Sequence, residues 1–286
     1  MSGARHIASR PDHAPGFRGI KLNWDWVTRP LFGGALAAVV VAAIFGGAPY
    51  VGLFGVVAGI AAAREWHRMI GERVFGPMFF VTSAALIAAA AAQVLAPSGP
   101  IAWAILGLGA IGVAAYAALK RQPALWHGFG LLYMGTTVLS LLVLVAAPFG
   151  AWVIVGMFIA VWATDTGALV VGNLVGGPRL WSVLSPNKTW AGTLGGIAAA
   201  ALAEALYIVY LHGNPLWAAL TGALIAVVAH CGDLFESWVK RTFQRKDSGG
   251  LIPGHGGVLD RIDSTLFVAP ILTLVITAAM LLGVYP

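Results

Sequence analysis

The stretch HCGDLFESWVK, residues 230 to 240, closes a long apolar run. In helical geometry its Asp233, Glu236 and Ser237 share one face, with Lys240 one turn beyond. A carboxylate at the end of an apolar segment is costly unless it holds something, which points to cation or phosphate chemistry. The next residues sharpen that reading. Positions 240 to 263 gather five of the chain's seventeen Lys and Arg residues, three of its eleven acids and five glycines. Within PGHGGVLDRID, glycines at 254, 256 and 257 free the backbone for close approach, and successive N–H groups in such loops form anion-binding hollows. Asp260 and Asp263 follow at i, i+3, with Arg261 between them. Mg²⁺ takes one or two carboxylates together with phosphate oxygens, so acids, bases and glycine amides side by side suit a metal-bound phosphate ester. The plainer alternatives are a helix end with a Glu236–Lys240 ion pair, or a basic loop resting on anionic lipid headgroups. The interleaved acids speak against the second.

A shorter polar stretch repeats the theme. Asp165 and Thr166 precede SPNKT, in which Ser185, Asn187, Lys188 and Thr189 offer hydroxyl, amide and ammonium groups just before an apolar run. Such groups near a helix N-terminus favour anions. An ordinary turn with an N-cap accounts for the same residues equally well.

The elements that must position these groups are membrane helices. Of 286 residues 59% are apolar and 10% charged, against about a quarter charged in soluble domains. Bilayer spans need about 20 mostly apolar residues each. The fold class is therefore an all-α polytopic membrane protein. Nine spans are expected, near 31–47, 49–63, 77–96, 100–119, 128–147, 150–172, 190–212, 215–235 and 262–283. The first two are short and joined tightly at Pro49, as in a hairpin that does not fully cross. The organisation reads as a tail over 1–30, N-terminal helices over 31–147 and a catalytic helical region over 148–286. The last region carries loops at 173–189 and 236–261. Trp24 and Trp26 would sit at headgroup level.

On this layout every one of the seventeen Lys and Arg residues falls in the tail or in loops of one side. The positive-inside rule makes that side cytoplasmic, so the tail and both polar loops face the cytoplasm of the cell's inner membrane. The sequence pI of about 9.8 follows from topology, and nucleic-acid binding is not implied. Three acids lie within the expected spans, Asp165, Glu204 and Asp233. An ionisable group there costs roughly 3 kcal/mol or more at the bilayer centre and marks function. Asp165, Asp233, Asp260 and Asp263 fall at one depth near the cytoplasmic face, whereas Glu204 falls in the outer half. Cys231 is the one cysteine, so no disulfide closes within the chain.

Residues 237 to 263, SWVKRTFQRKDSGGLIPGHGGVLDRID, resemble the signature of the phosphatidate cytidylyltransferase (CDP-diacylglycerol synthase) family. The matching places include Ser237, Lys240, Arg241, Lys246, Asp247, His255, Gly256, Gly257, Asp260, Arg261 and Asp263. Upstream, DTGA and SPNKTW resemble the family's other two motifs, in the same order. One place departs, Ala191, where the family usually has an acid. The resemblance covers about 150–283, and the first half agrees only in being apolar.

The resemblance implies transfer of CMP from CTP to phosphatidic acid, giving CDP-diacylglycerol and pyrophosphate, with Mg²⁺, a nearby second cation such as K⁺, and a possible homodimer. It implies Asp233 and Asp260 as metal carboxylates, with Lys240, Arg241, Lys246 and Arg261 on phosphate oxygens. Asp247 and Asp263 belong to the same catalytic signature. Ser185, Asn187, Lys188, Thr189, Ser237, Gly256, Gly257 and Asp165 would line the substrates. His255 would meet a phosphate or fix the loop. Three alternatives stay open: an isoprenoid ether lipid phosphate as acceptor, a cation transporter with Asp165, Glu204 and Asp233 on its path, and an inactive homologue.

Overall fold

The computed structural model describes residues 25–251 and 256–283; most of the expected tail, Trp24, the Trp26 ring and His255 lie outside the described residues. Among the described residues nine helices and one small hairpin follow in order: α1 Asp25–Gly46, α2 Ala48–Ile70, α3 Pro77–Leu95, α4 Ile101–Leu119, α5 Ala124–Ala146, α6 Gly150–Val175, β1 Arg179–Trp181, β2 Ser185–Thr189, α7 Trp190–Tyr210, α8 Pro215–Thr242 and α9 Leu259–Leu281. The chain is an all-α polytopic membrane protein.

Among the described residues seven helices, α3 to α9, are long and apolar enough to cross a bilayer. The expected count of nine crossings is therefore not confirmed for α1 and α2. The described apolar stretch of α1 is Gly33–Gly46, and the last turns of α2 carry Arg64, Glu65, His67 and Arg68. A single residue, Gly47 at φ +85°, turns the chain between these two helices. Two further boundaries differ from expectation. Helix α8 runs to Thr242, so the polar loop begins after 242 and not at 236. Its last turns stay helical because Glu236 and Val239 face inward while Trp238, Arg241 and Thr242 face out. The loop expected over 173–189 holds the antiparallel β1–β2 pair, entered through Gly176 and Gly177 at φ +64° and +93°, where side chains would be strained.

Two groups of helices pack against each other. Helix α7 lies between α6 and α8, and α5 is surrounded by α2, α3 and α4; α9 joins the groups by packing on both α8 and α5. In lipid, helices associate through close packing of small residues and not through a hydrophobic driving force. The α6–α7 and α8–α9 contacts show it: a Cβ added to Gly196 would fall 2.8 Å from the Thr164 carbonyl oxygen, and one on Gly232 would fall 2.7 Å from that of Asp263. Helix α9 also contains Pro270, which has no N–H to give the Leu266 carbonyl. That carbonyl accepts the Thr137 hydroxyl of α5 at 3.2 Å, so the helix continues without an orphaned acceptor in lipid.

Under the polar end lies an aromatic layer. Trp66 of α2 donates to the Trp126 carbonyl at 2.9 Å and is fully buried against Trp126, Phe129 and Tyr133 of α5. Phe235 and Trp238 of α8 and Phe267 of α9 close the layer. These contacts hold the C-terminal ends of α2 and α8 beside the N-terminal ends of α5 and α9, so the basic loops they border lie on one side.

Replacing Gly196 by Val is expected to lower the thermal unfolding midpoint in detergent, by about 1–3 kcal/mol of overpacking. The same change at Gly107, which has open space beside it, should leave the midpoint nearly unchanged. Equal melting of the two variants would contradict the close α6–α7 approach.

Candidate active site

The helix ends bring most of the expected residues to one place. Asp233 sits in the third-last turn of α8. Its Oδ2 accepts Lys188 Nζ at 2.5 Å and its Oδ1 accepts the Ser264 hydroxyl of α9 at 2.7 Å. Lys188 reaches it from β2, whose last residue, Thr189, caps α7: its Oγ1 accepts the Gly192 N–H at 3.1 Å. That cap fixes where the strand stops and the helix starts, and so where Lys188 points. Ser185 stands at the far end of β2, paired in register with Trp181.

Two turns further along α8, Lys240 bridges the helices. Its Nζ donates to Asp260 Oδ1 at 2.8 Å and lies 3.3 Å from Glu236 Oε1. The Glu236 side chain is completely buried and lies against the Asp260 and Asp263 carboxyls. The i, i+4 Glu236–Lys240 pair expected as the plain alternative therefore exists, but it continues into Asp260 and is not a solvated helix end. Asp260 Oδ2 accepts the N–H groups of Ser248 and Gly257, at 3.3 and 3.2 Å. The second acid of α9, Asp263, accepts the N–H of Ser264 and lies within electrostatic reach of Asp233 and Glu236.

Two cavities meet this cluster. One, of about 750 Å³, lies between α6, α7, α8 and the hairpin; its polar lining includes Asp165, Asn187, Lys188, Thr189, His230 and Asp233. The other, of about 570 Å³, is walled mainly by apolar residues of α1, α2, α5 and α6, with Asp165, Asp260, Arg261 and Asp263 at one end. Asp165 lines both. Asp233 and Asp260 thus face different cavities across the α8–α9 seam. Arg261 is exposed at the second cavity; Lys246 and Asp247 are exposed on the loop, and Arg241 donates to the Arg245 carbonyl at 3.3 Å. Ser237 is half-buried on α8, and Gly257 is buried. Glu204, expected apart, is apart: it is buried between α6, α7 and α8 beside Gly156, Tyr207 and Gly222.

The donor set is oxygen-rich and acidic. Asp165, Asp233, Glu236, Asp260 and Asp263 are met by Lys188, Lys240 and Arg261, which leaves an excess of two negative charges if all are ionised. Buried charge of one sign needs a counter-ion. Hard carboxylate and hydroxyl oxygens in this arrangement fit Mg²⁺ rather than a soft metal.

Sequence reasoning missed Glu65. Helix α2 was expected to stop at 63, which left Glu65 among the arginines of a loop. The helix runs on, and Glu65 is buried with Oε2 accepting the Leu259 N–H at 2.9 Å and the Ser248 hydroxyl at 3.4 Å. The available signal was a lone acid in the i, i+4 continuation of an apolar run. A second cluster, His67, Glu72 and His127, brings ligand-type atoms together between α2 and α5. The two rings meet Nδ1 to Nδ1 at 2.7 Å with centroids 5.0 Å apart, the geometry of a direct N–H···N hydrogen bond. Thr82 takes the far side of His67 at 2.8 Å, while Glu72 accepts the Met78 N–H at the start of α3 and burial pushes its carboxyl up.

Residues 27–279 match the cytidylyltransferase family, nearly the whole described chain. The chain belongs to that family. Among curated relatives, it is 38% identical over 231 residues to the phosphatidate cytidylyltransferase of Brucella suis, which covers 78% of this chain and 82% of that one. It is 36% identical over 182 residues to the enzyme of the same name from Rickettsia bellii, covering 60% and 79%. Against that of Staphylococcus saprophyticus it is 44% identical over 121 residues, 42% and 46% of the two chains. Family membership reaches into the first half of the chain, which the motifs alone did not.

Lys240→Met should destabilise the protein by about 3 kcal/mol, because it strands Glu236 and Asp260 without their shared cation. Adding Glu236→Gln should recover part of the loss. Thermal unfolding of the two variants in detergent checks this, and an unchanged midpoint for Lys240→Met would show that the bridge carries no stability.

Proposed function

We propose that this protein is a cytidylyltransferase that moves CMP from CTP to phosphatidic acid at the cytoplasmic face of the inner membrane. The products are CDP-diacylglycerol and pyrophosphate. The observation that carries the reading is the juxtaposition of a polar and an apolar cavity at one acidic, lysine-bridged helix seam, in a chain of the cytidylyltransferase family. A reaction between a water-soluble nucleotide and a membrane lipid needs both kinds of cavity at a common wall. The named relatives are phosphatidate cytidylyltransferases, which supports phosphatidate as the acceptor.

In this reading the polar cavity takes the nucleotide phosphates. Lys188, Asn187 and the hydroxyls of Thr189 and Thr193 stand around it, with the capped N-terminus of α7 behind them. The apolar cavity takes the upper part of the acyl chains, with Arg261 at its polar end to meet the lipid phosphate. A phosphatidate oxygen attacks the α-phosphorus of CTP in line, one P–O bond forms, the α–β bridge bond breaks, and pyrophosphate leaves with the electron pair. The lipid phosphate is already largely ionised near neutral pH, so no general base is required. What the protein supplies is position and charge, as in other phosphoryl transfers. Asp233 from one side and Asp260 from the other would hold Mg²⁺ at the wall that the two cavities share, with Asp263 and Asp165 close by, and the ion would supply charge neutralisation for the α-phosphate and the departing pyrophosphate. Lys188 and Lys240 now neutralise the same two carboxylates, and each is placed to turn to a phosphate oxygen instead. The basic loops all border one side, which supports the cytoplasmic orientation.

Detergent-purified protein given CTP, phosphatidic acid and Mg²⁺ should release pyrophosphate. Asp233→Asn and Asp260→Asn should each lower kcat at least about a hundredfold while melting normally. A variant keeping more than a tenth of the wild-type rate would remove that residue from the metal site. Release with an isoprenoid ether lipid phosphate but not with phosphatidic acid would move the acceptor and leave the chemistry standing.

A further inference from the structure

We propose that Glu65 of α2 is a positioning residue for the active-site glycine loop, setting its shape so that Asp260 and Lys240 are held in place at the α8–α9 seam. The inference rests on the reading of the α8–α9 seam as the cytidylyl-transfer site. Glu65 is 1% exposed and lies 183 and 194 residues from its two partners in the chain. Its Oε2 accepts the N–H of Leu259, the first residue of α9, which has no acceptor within its own helix. The same oxygen accepts the Ser248 hydroxyl at 3.4 Å. One carboxylate therefore ties the incoming limb of the loop to the outgoing one.

Three further observations make this more than a buried contact. First, Ser248 is held twice: its hydroxyl by Glu65 and its N–H by Asp260. Any displacement of Ser248 is transmitted to Asp260, and through Asp260 to Lys240. Second, the glycines leave room for the carboxylate. A Cβ on Gly249 would overlap the Glu65 carboxylate, and one on Gly257 would fall 2.7 Å from Glu65 Oε2 and 3.0 Å from Asp260 Oδ2. Gly249 and Gly257 are thus required by the acid they enclose, apart from any role against phosphate. Third, Glu65 Oε1 is buried and accepts no hydrogen bond among the described residues. A carboxylate kept there with half its capacity unused is expensive if it serves packing alone.

The test is a cycle in the full-length protein of Glu65→Ala, Gly249→Ala and the double variant, with Glu65→Gln as the conservative replacement. Kinetics with CTP and phosphatidic acid are read beside amide hydrogen exchange of residues 243–251 and 256–259. Glu65→Ala should lower kcat by about tenfold or more, with smaller changes in KM for CTP and for the lipid. Glu65→Gln, which keeps an oxygen for the Leu259 N–H, should stay within about threefold of wild type. Gly249→Ala should be as harmful as Glu65→Ala in the wild-type background, yet cost less than about twofold more once Glu65 is gone. Exchange in the two loop limbs should quicken in Glu65→Ala and Gly249→Ala and stay slow in Glu65→Gln. Independent, multiplying effects of the two substitutions would overturn the proposal, as would a Glu65→Ala enzyme with wild-type kcat and unchanged loop exchange. If the wild-type protein releases no pyrophosphate, the functional reading fails while the exchange arm still decides whether Glu65 shapes the loop.

Discussion

The arrangement depends on a charge imbalance at the end of a membrane helix pair. Where α8 meets α9, more carboxylates than cations are brought together in a setting with little water, and two lysines hold them in place. Removing charge from water costs several kcal/mol per ion, and an excess of one sign cannot be stabilised by pairing alone. A chain that evolved only to pack would replace such residues with apolar ones. Keeping them is consistent with a site whose full complement of charge arrives with its ligands: a divalent cation and phosphate oxygens.

The rest of the fold serves this seam. Small residues let α6, α7 and α8 approach until their backbones nearly touch, which creates a polar hollow at one end without opening the bundle in the lipid. The aromatic layer between α2, α5, α8 and α9 separates the charged end from the apolar interior and sets the relative height of the helix ends. Thr137 repairs the acceptor that Pro270 leaves open, so α9 keeps its course from the site to the opposite end. Each device uses a group that the neighbouring helix supplies, because lipid offers none.

Much of this was legible in the sequence, and what escaped has physical causes. The all-helical membrane class followed from apolar runs, and the one-sided loops from the placement of Lys and Arg. The motif of residues 237–263 pointed to the family, which residues 27–279 then matched. Boundaries were harder. The turns of α8 after 235 look polar in one dimension, yet Glu236 and Val239 are buried because α9 and its loop cover that face. The three- and five-residue strands of the hairpin are too short for any periodicity to register. Glu65 was hidden because its significance lies in partners far away in the chain, and the hydrogen bonds that tie Asp260 to the loop amides were hidden for the same reason. Spacing along a helix reveals which residues share a face. It does not reveal which distant backbone amide they will meet.

The most direct measurement is binding of Mn²⁺, a paramagnetic stand-in for Mg²⁺, followed by electron paramagnetic resonance in the purified protein with CTP. The account predicts bound Mn²⁺ at about one to two ions per chain, displaced by excess Mg²⁺ and lost together with tight nucleotide binding in Asp233→Asn. Wild-type protein that binds CTP tightly while leaving all Mn²⁺ free would contradict it, since the acid excess at the α8–α9 seam would then have some other purpose.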